Sequence, residues 1–267
     1  MIEGKCMKKT VLLWSPGLDS FLSDWILKTR HKKIEYTRVN INIQSKYSRA
    51  ESIFMSRRYG DAKYDELTNL DLSKIERRDN YIPNRNLFLV TMAQSFYDAD
   101  CIFISGVKDD QVGDQGSDFY ESASNVLSEI ADRKIVVDSL LKTKEKSEWC
   151  HEYVEEQNTE VSLLNETYSC FSPDYIEKDR CLYAYEQSGQ LRSLGLHLVT
   201  GCMSCPACYR RMSALASIGL FVEYEDIDYL FCKEIDKDKL PNRYVSVMDY
   251  RDFHTILFEG RRMKDGG

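Results

Sequence analysis

At 267 residues and 43% apolar content, the chain can form one large domain, or one domain with an appendage, around a true core. Its net charge of −7 gives no electrostatic reason to expect a nucleic-acid partner. Arg210, Arg211, Arg261 and Arg262 could form a local basic face, but solvated surface is the plainer reading. No apolar run approaches the ~20 residues that a membrane helix needs. Nine cysteines, an odd number, without a secretory signal, fit a reducing cytoplasm better than a disulfide framework.

The first 150 or so residues alternate strand and helix patterns. Val11-Leu12-Leu13-Trp14 reads as a short apolar strand, and Phe21 to Leu27 as an amphipathic helix with Phe21, Leu22, Trp25 and Ile26 on one side. A second strand is expected from about Ile34 to Ile43, a helix over Ser48 to Tyr59, and a short third strand at Leu67 to Leu72. After a turn near Arg77–Asn80, a strong helix begins at Pro83 or Asn84 and runs to about Ala99. It leads into Cys101-Ile102-Phe103-Ile104, a continuous apolar run of the kind found in a sheet buried on both faces. A helix over 117–131 and a strand over 134–140 repeat the unit. This alternation predicts an α/β fold with a doubly wound, mostly parallel sheet.

The turn after the first strand, Ser15-Pro16-Gly17-Leu18-Asp19-Ser20, stands where such a sheet binds anions. Gly17 lets the backbone approach a ligand, and the Ser15 and Ser20 hydroxyls can donate to phosphate oxygens. Asp19 would repel phosphate, so its expected work is to orient the loop or hold Mg²⁺. A helix capped by Ser15 or Asp19, with a glycine for the turn, is the plain alternative.

Cys202-x2-Cys205-x2-Cys208 is hard to explain as core packing, because thiols three residues apart converge on one point. Zinc is the expected metal, while an iron–sulfur cluster uses the same ligand type. For the fourth ligand the spacing leaves Cys170, Cys181 and His197 open. Cys6, Cys101, Cys150 and Cys232 read as small buried hydrophobes.

Taken together, these stretches resemble the N-type ATP pyrophosphatases, and among them the 7-cyano-7-deazaguanine synthases (QueC-type). Ser15-x-Gly17-x-Asp19-Ser20 is similar to the family's pyrophosphate loop. Tyr81-Ile82-Pro83-Asn84-Arg85-Asn86, Ile104-Ser105-Gly106-Val107 and Leu141-Lys142-Thr143-Lys144-Glu145 resemble its later motifs in the same order. Tyr168-Ser169-Cys170, then Cys202, Cys205 and Cys208 followed by Arg211, resemble its zinc knuckle.

The resemblance implies a Rossmann-like, adenine-nucleotide alpha-hydrolase-like domain over 1–160. A helical zinc region over 161–267 would follow, with an insertion at 171–201 and an extension at 216–267. It selects Cys170 as the fourth zinc ligand, with Cys181 in reserve. It also implies ATP, Mg²⁺ and Zn²⁺ as cofactors, and 7-carboxy-7-deazaguanine and ammonia as substrates. The carboxylate would be adenylated, aminated to an amide and dehydrated to the nitrile. Ser15, Gly17, Leu18, Asp19 and Ser20 would hold the phosphates, Arg85 and Lys144 would supply positive charge, and Gly106 and Asp114 would meet the deazapurine.

Three departures qualify the resemblance. Pro16 removes one loop N–H. Gln115 and Gly116 stand where the family carries Cys and Arg, which loosens the expected substrate site and favours stopping at the amide. The tail beyond 215 exceeds the family's usual end, and a homodimer contact is one use for it. Two rivals remain, a tRNA-modifying adenylating enzyme and a catalytically degenerate binding module.

Overall fold

The computed structural model describes residues 9–58, 63–68, 70–77, 81–108, 110, 113–157, 162–165, 167–171, 174–175, 199–200 and 206–218. Five strands form one sheet: β1 (Thr10–Leu13), β2 (Tyr36–Ile41), β3 (Asp65–Leu67), β4 (Cys101–Phe103) and β5 (Val136–Asp138). Their order is β3-β2-β1-β4-β5, and all four pairings are parallel. The doubly wound sheet expected from the sequence is therefore present. Between the strands run α1 (Leu18–Arg30), α2 (Ser48–Arg58), α3 (Arg85–Tyr97) and α4 (Ser117–Ala131). After β5 come α5 (Lys146–Gln157), the short α6 (Ser162–Asn165), an antiparallel pair β6 (Asp174–Tyr175) and β7 (Val199–Thr200), and α7 (Pro206–Ser217).

Period-two alternation along β1 explains the layering. Val11 and Leu13 pack with Val90 and Ala93 of α3 and Ala123 and Leu127 of α4. Leu12 and Trp14 take the other face, with Leu27 of α1 and Met55 of α2. Beyond that second layer, α1 packs on α5 and α7 through Leu22, Trp25, Trp149, Tyr153 and Leu215. Tyr153 meets Trp25 edge-on at 5.2 Å and Phe21 at 5.3 Å between ring centroids. Such edge contacts suit the ring quadrupoles.

Two strands differ from expectation. The third occupies 65–67 rather than 67–72, because Leu72 is drawn into a side cluster with Ile43, Tyr47 and Ile82. The Asp71 carboxylate then accepts from the Ser73 backbone N–H (3.0 Å) and hydroxyl (2.6 Å), an Asx turn that stops the strand. The fifth is limited to 136–138, since Ser139 turns inward and donates to the Gly106 carbonyl at 2.5 Å. No helix among the described residues is long and apolar enough to cross a membrane.

The packing makes a contrast to test. Tyr153→Ala, at a position 2% exposed, should cost about 3–5 kcal/mol in urea denaturation. Ile130→Ala, at a position 76% exposed, should stay within about 0.5 kcal/mol. Equal effects would refute the assignment of α5 to the core.

Candidate active site

The strand order reverses between β1 and β4, and a parallel sheet opens a crevice there, outside its carboxyl ends. A cavity of about 260 Å³ occupies that position. Its walls come from the ends of β1 and β2, the turn 15–20, the start of α3, Asp110 and Asp114, Lys146 of α5, the segment 168–171, and Arg210 of α7.

The turn is held by its own serines. The Ser15 N–H donates to Ser20 Oγ (3.1 Å), the two hydroxyls lie 3.1 Å apart, and the Gly17 N–H donates to Ser15 Oγ (3.3 Å). Gly17 stands at the N-cap of α1 in extended conformation with no side-chain cap, so no side chain competes for the first helical N–H groups. A Cβ on Gly17 would lie 3.2 Å from Ser15 Oγ and 3.5 Å from Ser169 Oγ. The segment 167–171 lies over the turn, and Tyr168 donates its N–H to the Pro16 carbonyl at 2.8 Å.

Asp19 lies at this helix start with one oxygen 2.9 Å from Lys146 Nζ. Its other oxygen is buried and has no hydrogen-bond partner among the described residues. Burial, with the nearby Asp110 charge, raises the Asp19 pKa against the opposing pull of Lys146. Asp110 accepts the Val107 N–H (2.8 Å) and pairs with Arg210 at 2.5 Å. An unpartnered carboxylate oxygen beside a second carboxylate suits a hard cation such as Mg²⁺.

A second charged group lines the cavity. Arg85 contacts the Tyr47 hydroxyl at 3.4 Å; burial works against its charge, but Tyr47, Asp114 and Glu51 raise its pKa overall. Burial pushes Glu51 up to about 7, opposed only by Arg85. Asp114 accepts the Asn86 backbone N–H on one oxygen (3.1 Å), and its carbonyl accepts the Asn86 amide (2.9 Å). Its other oxygen is buried without a partner among the described residues.

The structure brings Ser15, Gly17, Asp19, Ser20, Arg85, Asp114 and Cys170 to one cavity, and leaves three expected residues elsewhere. Lys144 pairs with Glu152 at 2.5 Å and lies 4.9 Å from the centroid of the Trp149 ring, on the outer side of the chain. Lys146, two residues on, enters the cavity instead. A lysine near a helix start was the signal, and it does not choose between the two. The Leu18 side chain is fully buried against α5, which leaves only its backbone to face a ligand. Gly106 is absent from the cavity wall; a side chain there would collide with the Tyr120 hydroxyl. Glu51, Asp110 and Arg210 belong to no motif read in the sequence.

Cys170 and Cys208 are buried in one cluster with Tyr168 and Ala50, and Cys208 Sγ lies 3.3 Å from the Ser169 carbonyl. Cys202, Cys205, Cys181, His197 and residues 219–267 lie outside the described residues. Strands β6 and β7 pair Asp174 with Thr200 and Tyr175 with Val199, so both ends of the inserted chain meet at one place. Arg211 turns away from the cavity and donates to Thr167 Oγ1 (2.9 Å).

Glu51 gives the site a pH signature. The native state holds its proton up to about 7, whereas the unfolded carboxyl releases it near 4.5. Between these values the native state binds more protons, so this contribution to stability falls as pH rises. The raised Asp19 adds in the same direction, so a comparison with Glu51→Gln isolates the share of Glu51. The wild type should lose more melting temperature than Glu51→Gln between about pH 5 and 8. Parallel profiles would refute the shift.

No curated protein matches the chain. One solved structure with likeness is a predicted subunit of tRNA methyltransferase from Methanocaldococcus jannaschii: 17% identity, TM-score 0.38, covering 68% of this chain and 88% of that one. Another is the U34-tRNA thiolase NcsA from Methanococcus maripaludis with its 4Fe–4S cluster: 12% identity, TM-score 0.38, covering 93% of this chain and 80% of that one. The family model described as "Queuosine biosynthesis protein QueC" matches residues 60–219. That span is more than half of the sequence, and the chain belongs to the QueC family of queuosine biosynthesis proteins.

Proposed function

We propose that this chain is an ATP-dependent, AMP-forming enzyme that activates the carboxylate of 7-carboxy-7-deazaguanine for amination by ammonia. The observation that carries this reading is the meeting, in one cavity, of a helix start without a side-chain cap, the Asp19–Lys146 pair and Arg210. That set suits a polyphosphate. The substrate carboxylate oxygen attacks the α-phosphorus of ATP, forming an acyl-adenylate and releasing pyrophosphate. Ammonia then displaces AMP to give the amide; adenylation of the amide oxygen by a second ATP releases a second pyrophosphate, and loss of AMP and the remaining N–H proton gives the nitrile. Lys146 and Arg210 stand where they neutralise the departing pyrophosphate, and the serines keep the turn in shape. Mg²⁺ bound at the free Asp19 oxygen would add charge neutralisation.

Cys170 and Cys208, with Cys202 and Cys205, fit a closed thiolate set for zinc, which leaves no open position for substrate. Burial pushes both the Cys101 and Cys150 thiols up to about 12, which suits packing rather than the catalytic cysteine of a thiolase.

Product analysis with ATP, ammonia and 7-carboxy-7-deazaguanine should give AMP and pyrophosphate; ADP and phosphate would sink the proposed chemistry. Lys146→Gln should lower kcat about 10²–10³-fold, measured well below its melting temperature. Lys144→Gln should change kcat less than about threefold, as expected of an exposed ion pair. The reverse order would return the role to Lys144.

Cys205→Ser should yield metal-free, poorly soluble protein, read by metal analysis and sedimentation, because metal binding at such knuckles is coupled to folding. Full zinc occupancy in that variant would remove Cys205 from the ligand set.

A further inference from the structure

The charged groups of the cavity fall into two sets. Asp19, Lys146, Asp110 and Arg210 act on one another. Glu51, Arg85, Tyr47 and Asp114 form the other. Within the second set Glu51 is singular. It lines the cavity, yet its carboxylate makes no hydrogen bond or ion pair among the described residues. A cavity-wall carboxylate with both oxygens free of protein partners among the described residues keeps two acceptors for a ligand.

We propose that Glu51 reads the edge of the substrate heterocycle, its two carboxylate oxygens accepting a ring N–H and the adjacent amino group of a guanine-like ring. This deepens the proposed function and rests on it for the substrate class. The neighbouring wall fits a flat ring, since Tyr47, Tyr81 and Ile82 present aromatic and aliphatic surface. Two parallel acceptors match two adjacent donors; adenine offers one donor beside one acceptor and does not match an ionised carboxylate. Arg85 lies close enough to favour the charged form, and two ligand donors would favour it further.

Asp114, the residue singled out from the sequence for this task, is less suited. One of its oxygens is already spent on the Asn86 N–H, where it anchors the start of α3. Glu51 is held ready by its own helix: its N–H donates to the Tyr47 carbonyl (3.0 Å), and the adjacent Ala50 is fully buried beneath Tyr168.

Isothermal titration of the full chain with 7-carboxy-7-deazaguanine, guanine and a non-hydrolysable ATP analogue tests this. Glu51→Gln should weaken the first two ligands at least tenfold and the ATP analogue less than threefold, because a buried ligand donor loses its acceptor. Glu51→Asp keeps the charge but shortens the reach, and should weaken guanine as well, with melting temperature held. Unchanged deazapurine and guanine affinity, or a loss as large for the ATP analogue, would overturn the assignment. If the wild type binds guanine but not the carboxylated compound, and Glu51→Gln weakens guanine, the proposed substrate falls while the reading of Glu51 stands. Binding of neither ligand by the wild type sinks both.

Discussion

The structure turns on a half-buried carboxylate at the start of α1. Asp19 is the first-turn acid that a helix start favours, but here it lines a cavity with one oxygen buried and its side chain 27% exposed. A buried charge without a counter-charge is strongly destabilising. Lys146 meets that need at 2.9 Å, and to do so α5 must begin beside the start of α1. The Trp25–Tyr153 contact and the shared α1–α5–α7 cluster follow from the same juxtaposition. One ion pair thus joins the first helix to the helix that follows the sheet, and does so inside the site.

The cavity this creates is divided by charge. Its β1–α5 end carries two carboxylates and two cations at the turn where phosphates are expected. Its α2–α3 end carries Glu51, Arg85 and aromatic walls. An acidic chain of net charge −7 therefore gathers three of its cations, Lys146, Arg210 and Arg85, around one small volume. The same walls carry four carboxylates, Asp19, Glu51, Asp110 and Asp114, so any anion held there must rely on local geometry rather than net charge.

The centre of the sheet was legible because β1 and β4 are short runs buried along their whole length, such as Cys101-Ile102-Phe103. The turn 15–20 was legible as the link from β1 to α1, with Gly17 just before the first helical residue. Strand β3 was less so, since Leu70 and Leu72 carry strand character but serve a side cluster beyond the sheet. Lys144 and Lys146 share composition and spacing, and only the direction in which the chain enters α5 separates them. Glu51 was invisible because it reaches the cavity from a helix whose local sequence looks like ordinary solvated surface, and Arg210 was read as solvated surface. Gly106, read as a ligand contact, lies outside the cavity wall, and the Tyr120 hydroxyl beside it leaves no room for a side chain.

The 2.8 Å bond from the Tyr168 N–H to the Pro16 carbonyl has a thermodynamic meaning beyond the shape of the turn. Tyr168 also stacks on Phe54 at 4.0 Å and precedes Cys170 by two residues, so the thiol cluster and the turn share one short stretch of backbone. Whatever orders that stretch from the cysteine side lowers the entropy left to be lost on the other side. By reciprocity, if a molecule seated at the turn orders that stretch, it and anything held by the cysteines would raise each other's affinity by the same factor.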